Sequence, residues 1–319
     1  INPKKINNIA KSAGLELIST NTRQVFPFKL FGFGTFLNKT LEFIFFYLNI
    51  GIKTYSLLRF INVGNNKMSK SIIIPAKNEA GNLKELVSRI PKFETDYELI
   101  IICGESTDNT YEVSKNIKKD NPEILIKILK QTGKGKSNAV FEGIAESSNE
   151  LIAILDSDIS VDPESLDDFF KIIEDGHADF VNGTRLIYGK EKHSMQFLNI
   201  LGNLLFQFMI SLVIKQKLTD SLCGTKVFKK SYLGFLNRWS NSTKINDPFG
   251  DFDFIFSAAY SGQKILEYPV HYRSRKYGST QISRFRDGWR LLFYFINSLF
   301  KFNVSEWTFW KLILRKNYY

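Results

Sequence analysis

From Ser71 onward, apolar and polar residues alternate in blocks of regular length. "SIIIP" (71–75) is a short apolar run stopped by Pro75. "NLKELVSRI" (82–90) spaces Leu83, Leu86, Val87 and Ile90 at helical intervals, and Asn82 with Glu85 three residues on reads as a capping box. "ELIII" (98–102) is the next strand, and "STDNTYEVSKNI" opens a helix capped by Thr107 or Asp108. "ILIKIL" (124–129) is a third strand and "SNAVFEGIA" (137–145) a helix. "LIAIL" (151–155) is a fourth strand, followed by a helix "DPESLDDFFKII" (162–173) with Asp162 as cap and Pro163 at its first position. "ADFVNG" (178–183) is a fifth strand.

Short apolar strands alternating with helices predict βαβ units, an α/β protein with a mostly parallel sheet flanked by helices. Continuous apolar runs suit strands covered on both faces. In such sheets ligands bind beyond the carboxyl ends of the strands. Each run ends in polar residues there: Pro75-Ala76-Lys77-Asn78-Glu79, Gly104-Glu105-Ser106 and Asp156-Ser157-Asp158.

The last of these carries the sharpest chemistry. On an extended segment Asp156 and Asp158 project to the same side. Two carboxylates so close share a proton or take a cation, and a hard divalent ion, Mg²⁺ or Mn²⁺, with oxygen ligands answers that need. Such an ion usually coordinates phosphate too, so the pair points to metal-bridged diphosphate binding. The plainer alternative is a polar loop with Asp158 as a helix cap.

Four motifs in order, "IIIPAKNEAGNL", "STDNT", "GKGKSNAV" and "LDSD", resemble glycosyltransferase family 2, whose Rossmann-like GT-A fold includes dolichyl-phosphate mannosyltransferase. The resemblance covers roughly residues 69–290 and implies an inverting transfer from a nucleotide diphosphate sugar. It implies that Pro75, Ala76, Asn78 and Glu79 line the nucleotide pocket. Asp108 matches the aspartate of the family's S-T-D signature. Lys136 matches the lysine of its G-K-G motif. Asp156, followed by Ser157, would touch ribose or metal, and Asp158 the metal itself. Arg185 in "NGTR" matches the arginine after the fifth strand. "TDSLCGTKVFKK" (219–230) matches the segment D-x-x-x-G-x-[KR]-x-[FM], and "YRSRKYGST" (272–280), with Arg275, the R-x-x-G-x-S element near the acceptor. The second strand departs from the family: Cys103 stands where an acidic residue would meet the base, and Glu105 is the candidate substitute, which leaves the nucleotide open.

The acceptor decides whether a general base is needed. A saccharide hydroxyl must lose a proton, for which Asp251 and Asp253 in "DPFGDFDFIFSAAY" are candidates; their plain role is to complement a helix dipole. A lipid phosphate is already anionic and needs no base. Six Lys/Arg against one Asp in 271–290, followed by the aromatic "GWRLLFYFINSLFKF", favour polyprenyl phosphate. A nucleotidyltransferase and a non-catalytic nucleotide-sugar binding module are the competing readings.

Charge sharpens the picture at both ends. The net charge is +11, with ten Lys/Arg against two acids in residues 1–70, ten against two in 271–319, and an acidic middle. Basic, aromatic ends suit peripheral contact with an anionic membrane better than nucleic acid. "FLNILGNLLFQFMISLVI" (197–214) places Asn199, Asn203 and Gln207 on one face, which reads as an amphipathic helix at a membrane surface, in a core or in a dimer, rather than a span. Two cysteines, Cys103 and Cys223, and no secretory pattern fit a cytoplasmic protein at the cytoplasmic face of a membrane. The expected division is an N-terminal extension (1–66), a transferase domain (67–290), and a helical, basic and aromatic C-terminal extension (291–319). "SAGLELISTNTRQVFPFKL" resembles the last strands of a class I methyltransferase domain, without its glycine-rich loop. The sequence does not specify the sugar or the oligomeric state.

Overall fold

The computed structural model describes residues 67–187, 197–243, 247, 249–273, 277 and 284–302, and the backbone path of 15–23 and 53–60. In the N-terminal part, β1 (Leu15–Arg23) and β2 (Lys53–Phe60) pair antiparallel, with an irregularity between Leu17 and Ser19. Residues 64–303 form a separate compact unit.

That unit begins with alternating strands and helices: β3 (Lys70–Ala76), α1 (Ala80–Arg89), β4 (Tyr97–Cys103), α2 (Thr110–Asp120), β5 (Leu125–Lys130), α3 (Lys136–Ala145), β6 (Leu151–Ile154), α4 (Leu166–Glu174) and β7 (Phe180–Thr184). There follow α5 (Phe197–Ile214), β8 (Lys226–Lys229), α6 (Leu233–Ser242), α7 (Asp251–Tyr260), β9 (Ile265–Pro269) and α8 (Arg284–Leu299). The sheet order is β5-β4-β3-β6-β8-β7-β9. All neighbours are parallel except β8, which runs antiparallel to both β6 and β7. β8 and β9 were not anticipated. They are four and five residues long, too short to stand out as periodic runs.

The central strands are apolar throughout because both faces are covered. Ile73, Ile100, Ile102, Ile152 and Ile154 are buried in one cluster with Ala139 and Val140 of α3. Each such aliphatic side chain contributes roughly 1.5–3 kcal/mol on burial. β5, at one edge of the sheet, departs from this rule: its Leu125 is exposed. Behind β6–β8 lies an aromatic wall. Phe206 of α5 meets Phe252 of α7 at 5.3 Å between ring centroids, Phe252 meets Tyr294 of α8 at 6.1 Å, and Trp239 stacks on Phe256 at 5.9 Å.

Several local expectations are corrected. α1 starts at Ala80, so Asn82 is not its cap; Asn82 is buried and donates its amide to the Glu79 carboxylate at 2.5 Å. Asp162 makes no capping bond and instead receives the guanidinium groups of Arg89 and Arg273, both ion pairs closer than 3 Å. α8 runs unbroken through residue 290, where the sequence suggested a boundary, because Leu291, Tyr294 and Phe295 pack into the core. α5 is a helix as expected, and Asn203 of its polar stripe faces inward. Asn203 is buried and bonds Asp220 and Ser221, while Leu204, Leu205 and Phe208 are exposed.

Candidate active site

Three loops at the carboxyl ends of β3, β4 and β6 build the site, held together by side chains of the sequence motifs. Asn78 adopts a left-handed backbone, φ 57°, which asparagine tolerates better than most residues. Its side-chain oxygen accepts the Thr107 N–H at 2.7 Å, and its own N–H donates to Ser106 Oγ at 3.0 Å. One Asp108 oxygen accepts from Ala80 N–H at 3.1 Å and from the Tyr277 hydroxyl at 3.3 Å; the other accepts Thr110 N–H at 3.0 Å. Burial pushes the Asp108 carboxyl up, but these bonds win and hold it below the usual range. The side chains of Asn78 and Asp108 thus hold the loops in place. Glu105 beside them is exposed, whereas Cys103 is buried with its Sγ 3.4 Å from Ser114 Oγ, and burial raises its thiol pKa.

The acidic pair lies in a turn. β6 ends at Ile154, so the alternation of an extended strand does not govern residues 156–158. The turn is tied down by Ser157 Oγ donating to the Pro75 carbonyl at 2.9 Å and by Ser160 N–H donating to Asp158 Oδ1 at 3.0 Å. Asp156 pairs with Lys136 Nζ at 2.5 Å. Lys136 is the first residue of α3, entered through Gly135 at φ 88°. Burial disfavours both charges. Lys136 and Asp156 each overcome that penalty, with Asp251 and Asp158 also raising the lysine pKa, and Lys226 and Arg185 also lowering the aspartate pKa. Gly224 backs this pair: a Cβ there would sit 2.2 Å from Asp156 Oδ2 and 2.5 Å from Lys136 Nζ, so no other residue fits without moving them.

The two acids of α7 part company. Residues two apart on a helix differ by about 200° around the axis. Asp251 accordingly meets the buried Lys226 at 2.5 Å, while Asp253 is buried in the aromatic wall and accepts the Tyr294 hydroxyl. Tyr294 in turn accepts from Trp239 Nε1 at 2.8 Å. Burial, and the neighbouring Asp247, push the Asp253 carboxyl up to about 7. Asp247 caps α7 through the backbone N–H groups of Phe252 and Asp253, and burial raises it to about 6.

These loops and motifs decide the assignment: the sequence pattern of glycosyl transferase family 2 matches residues 71–235. The chain belongs to that family. A dolichol-phosphate mannosyltransferase of Pyrococcus furiosus is 32% identical over 132 residues, 41% of this chain and 37% of that protein. A dolichyl-phosphate hexose transferase of Haloferax volcanii is 24% identical, covering 68% of this chain and 88% of its own length. The chain therefore spans under two fifths of the Pyrococcus protein but most of the Haloferax one. Among solved structures, glucosyl-3-phosphoglycerate synthase from Mycobacterium tuberculosis superimposes with a TM-score of 0.53 over 73% of this chain and 78% of that one, at 14% identity. The fold is GT-A.

Within this family 2 chain, Arg185 is held by Asp220 in a two-pronged ion pair at 2.7 and 2.9 Å, and its guanidinium lies 5.0 Å from the Tyr272 ring. Arg275 lies outside the described residues. Asp220 and Lys226 are structural partners that the sequence reading named only as part of "TDSLCGTKVFKK". The signal was present: Asp220, Gly224 and Lys226 are the D, G and K of that segment's pattern. A cavity of about 710 Å³ lies elsewhere, at the β5 edge between Lys115, Lys118, Lys119 and Leu125; no motif residue lines it.

Proposed function

We propose that the chain transfers a sugar from a nucleotide diphosphate sugar to a polyprenyl phosphate, at a membrane surface. The observation that carries the reading is the tied-down Asp156-Ser157-Asp158 turn at the strand ends, flanked by Lys136 and backed by Gly224. Hard carboxylate oxygens in that turn suit Mg²⁺ or Mn²⁺. Among the described residues no group of three or more His, Cys, Asp or Glu could hold a metal. A cation here would therefore take its remaining ligands from diphosphate and water, a donor set that fits an ion carried in with a nucleotide. Asp156 and Asp158 would hold it, and bound there it would neutralise charge growing on the leaving diphosphate. The solved relative above was crystallised with Mn²⁺ and UDP, which is in keeping with this.

The chain's own residues would then act as follows. Pro75, Ala76 and Glu79 line the nucleotide side, with Asn78 and Asp108 setting loop shape, Ser157 fixing the turn and Glu105 free to approach the base edge. Lys136 supplies a mobile positive charge to the phosphates. Arg185, locked by Asp220, contributes a fixed one, as would Arg275 from the acceptor-side element. Neither acid of α7 suits a general base: Asp251 is engaged by Lys226 and Asp253 is buried behind Tyr294. A phosphate acceptor needs no base, so this arrangement favours it over a hydroxyl acceptor.

The names of the Pyrococcus and Haloferax relatives point the same way. So do the outward faces of α5 and α8. Leu204, Leu205 and Phe208 on one, and Trp289, Phe293 and Ile296 on the other, are exposed, with Arg286 and Arg290 alongside. Among the described residues no helix is long and apolar enough to cross a membrane, so peripheral contact is the mode proposed. The test is product formation from a panel of UDP- and GDP-sugars with Mn²⁺, offered either a polyprenyl phosphate in mixed micelles or soluble saccharides. Glycosyl polyprenyl phosphate is the expected product. Transfer to saccharides alone would overturn the acceptor, and no transfer from any donor would overturn the enzyme reading.

A further inference from the structure

Two carboxylate–ammonium pairs lie at the strand ends. Asp156 pairs with Lys136 and Asp251 with Lys226, each at 2.5 Å. Asp158 adds to the field on Lys136, as does Asp251. The two lysines are not equivalent. Lys226 is fully buried on β8 and also donates to the Cys223 carbonyl, so it is fixed. Lys136 is partly exposed, at the first turn of α3. A helix N-terminus disfavours a cation, and the ion pair with Asp156 opposes that cost for Lys136. It follows the exposed run Thr132–Gly135, whose Gly135 carries the φ of 88°. A lysine is a compact charge on a flexible stem and can exchange one anion for another.

We infer that Lys136 is an exchangeable counter-ion to Asp156, which makes divalent cation binding at the acidic turn depend on the arrival of a diphosphate. The inference rests on the donor-site reading above. A cation at Asp156 must compete with the ammonium now within ion-pair distance of it. Displaced alone, Lys136 would face the cation and the α3 N-terminus with no new anion. With a diphosphate present, the ammonium has phosphate oxygens to pair with, and the opposing cost disappears. Without Lys136, Asp156 loses the ammonium 2.5 Å from it, and a cation there meets no competitor at that distance. Lys136 is thus a positioning residue whose removal should help the metal bind and harm its coupling to nucleotide. Coupling between two ligands is reciprocal, so nucleotide binding should depend on the metal by the same factor.

The experiment is calorimetric titration of Mn²⁺ into the whole chain, alone and with saturating UDP or GDP. In wild type, one nucleotide should tighten Mn²⁺ by about 10-fold or more, within the usual range of such couplings. In Lys136→Met, Mn²⁺ alone should bind about 10-fold tighter than to wild type, and the nucleotide should add little. Lys136→Arg keeps the charge and should keep the coupling. Near-ultraviolet circular dichroism and a urea midpoint confirm that each variant is folded. If Lys136→Met binds Mn²⁺ alone no tighter than wild type, the exchange is wrong while the donor site stands. If wild type binds no Mn²⁺ even with either nucleotide, the donor-site reading itself falls, and the exchange with it.

Discussion

The rim of the sheet and the aromatic wall behind it both bury carboxylates, and they handle the charge in opposite ways. At the rim, Asp156 pairs with Lys136, which helps hold its carboxyl below the usual range, and Asp251 pairs with Lys226. In the wall, Asp253 has a tyrosine hydroxyl and an acidic neighbour for company, and its carboxyl is driven up to about 7. The same side chain, two residues apart on α7, meets a buried lysine in one place and a buried tyrosine hydroxyl in the other. What separates them is the partner each helix face meets. The rim carboxylates pair directly with ammonium groups, whereas the cation nearest the wall, Lys301, lies over the Trp239 ring and leaves Asp253 to the Tyr294 hydroxyl.

The sharpest way to break this contrast is to remove the fixed rim cation. Lys226→Met should strand Asp251 in a buried site and cost about 3–5 kcal/mol, read from urea unfolding; a loss under 1 kcal/mol would mean that the pair is solvated. Next in size is Asp158→Asn, which should lower kcat/KM for sugar transfer by at least about 100-fold, or roughly 2.7 kcal/mol, with unfolding unchanged. Retained turnover would remove Asp158 from the metal role.

On the wall side, Tyr294→Phe takes the donor from Asp253 and the acceptor from Trp239, and should cost about 1–3 kcal/mol without touching nucleotide affinity. The pH dependence is the finest test. A carboxyl whose pKa is raised in the folded state binds more protons there, so its contribution to stability is complete below the unfolded range near 4. It is then lost as pH rises toward about 7 for Asp253 and about 6 for Asp247. Wild type should therefore lose on the order of 1 kcal/mol per pH unit across that window relative to Asp253→Asn. Parallel stability curves for the two proteins would show that Asp253 is ionised throughout.

Much of this was legible in the linear pattern. The run of apolar strands and amphipathic helices announced a parallel sheet, because covered strands must be apolar along their whole length. Polar residues at every strand end marked the rim, and Asp156 and Asp158 stood out as close like charges. Other features were hidden. Asp251 and Asp253 looked alike as candidate bases, since helical phase says only that they diverge, not what each face meets. Asn82 looked like a cap because its spacing to Glu85 fits, while the helix begins two residues earlier. The stripe of α5 carrying Asn203 and Gln207 was legible, but its orientation was not. Asn203 faces inward, where it donates to the Asp220 carboxylate brought up by the connection to β8.

Local pattern by itself determined the alternation of strands and helices from β3 to β7, the polar edge at the strand ends and the oxygen-rich chemistry of the 156–158 turn, since each follows from period, propensity and charge within a few residues. Only the tertiary structure decided that Lys136 meets Asp156, that Lys226 meets Asp251, that Arg185 is locked by Asp220 and that Asp253 is closed off by Tyr294. Those pairings join residues from 20 to 41 positions apart. Electrostatics inside a protein is set by distance through space and by what has displaced the water, neither of which is written in the order of residues.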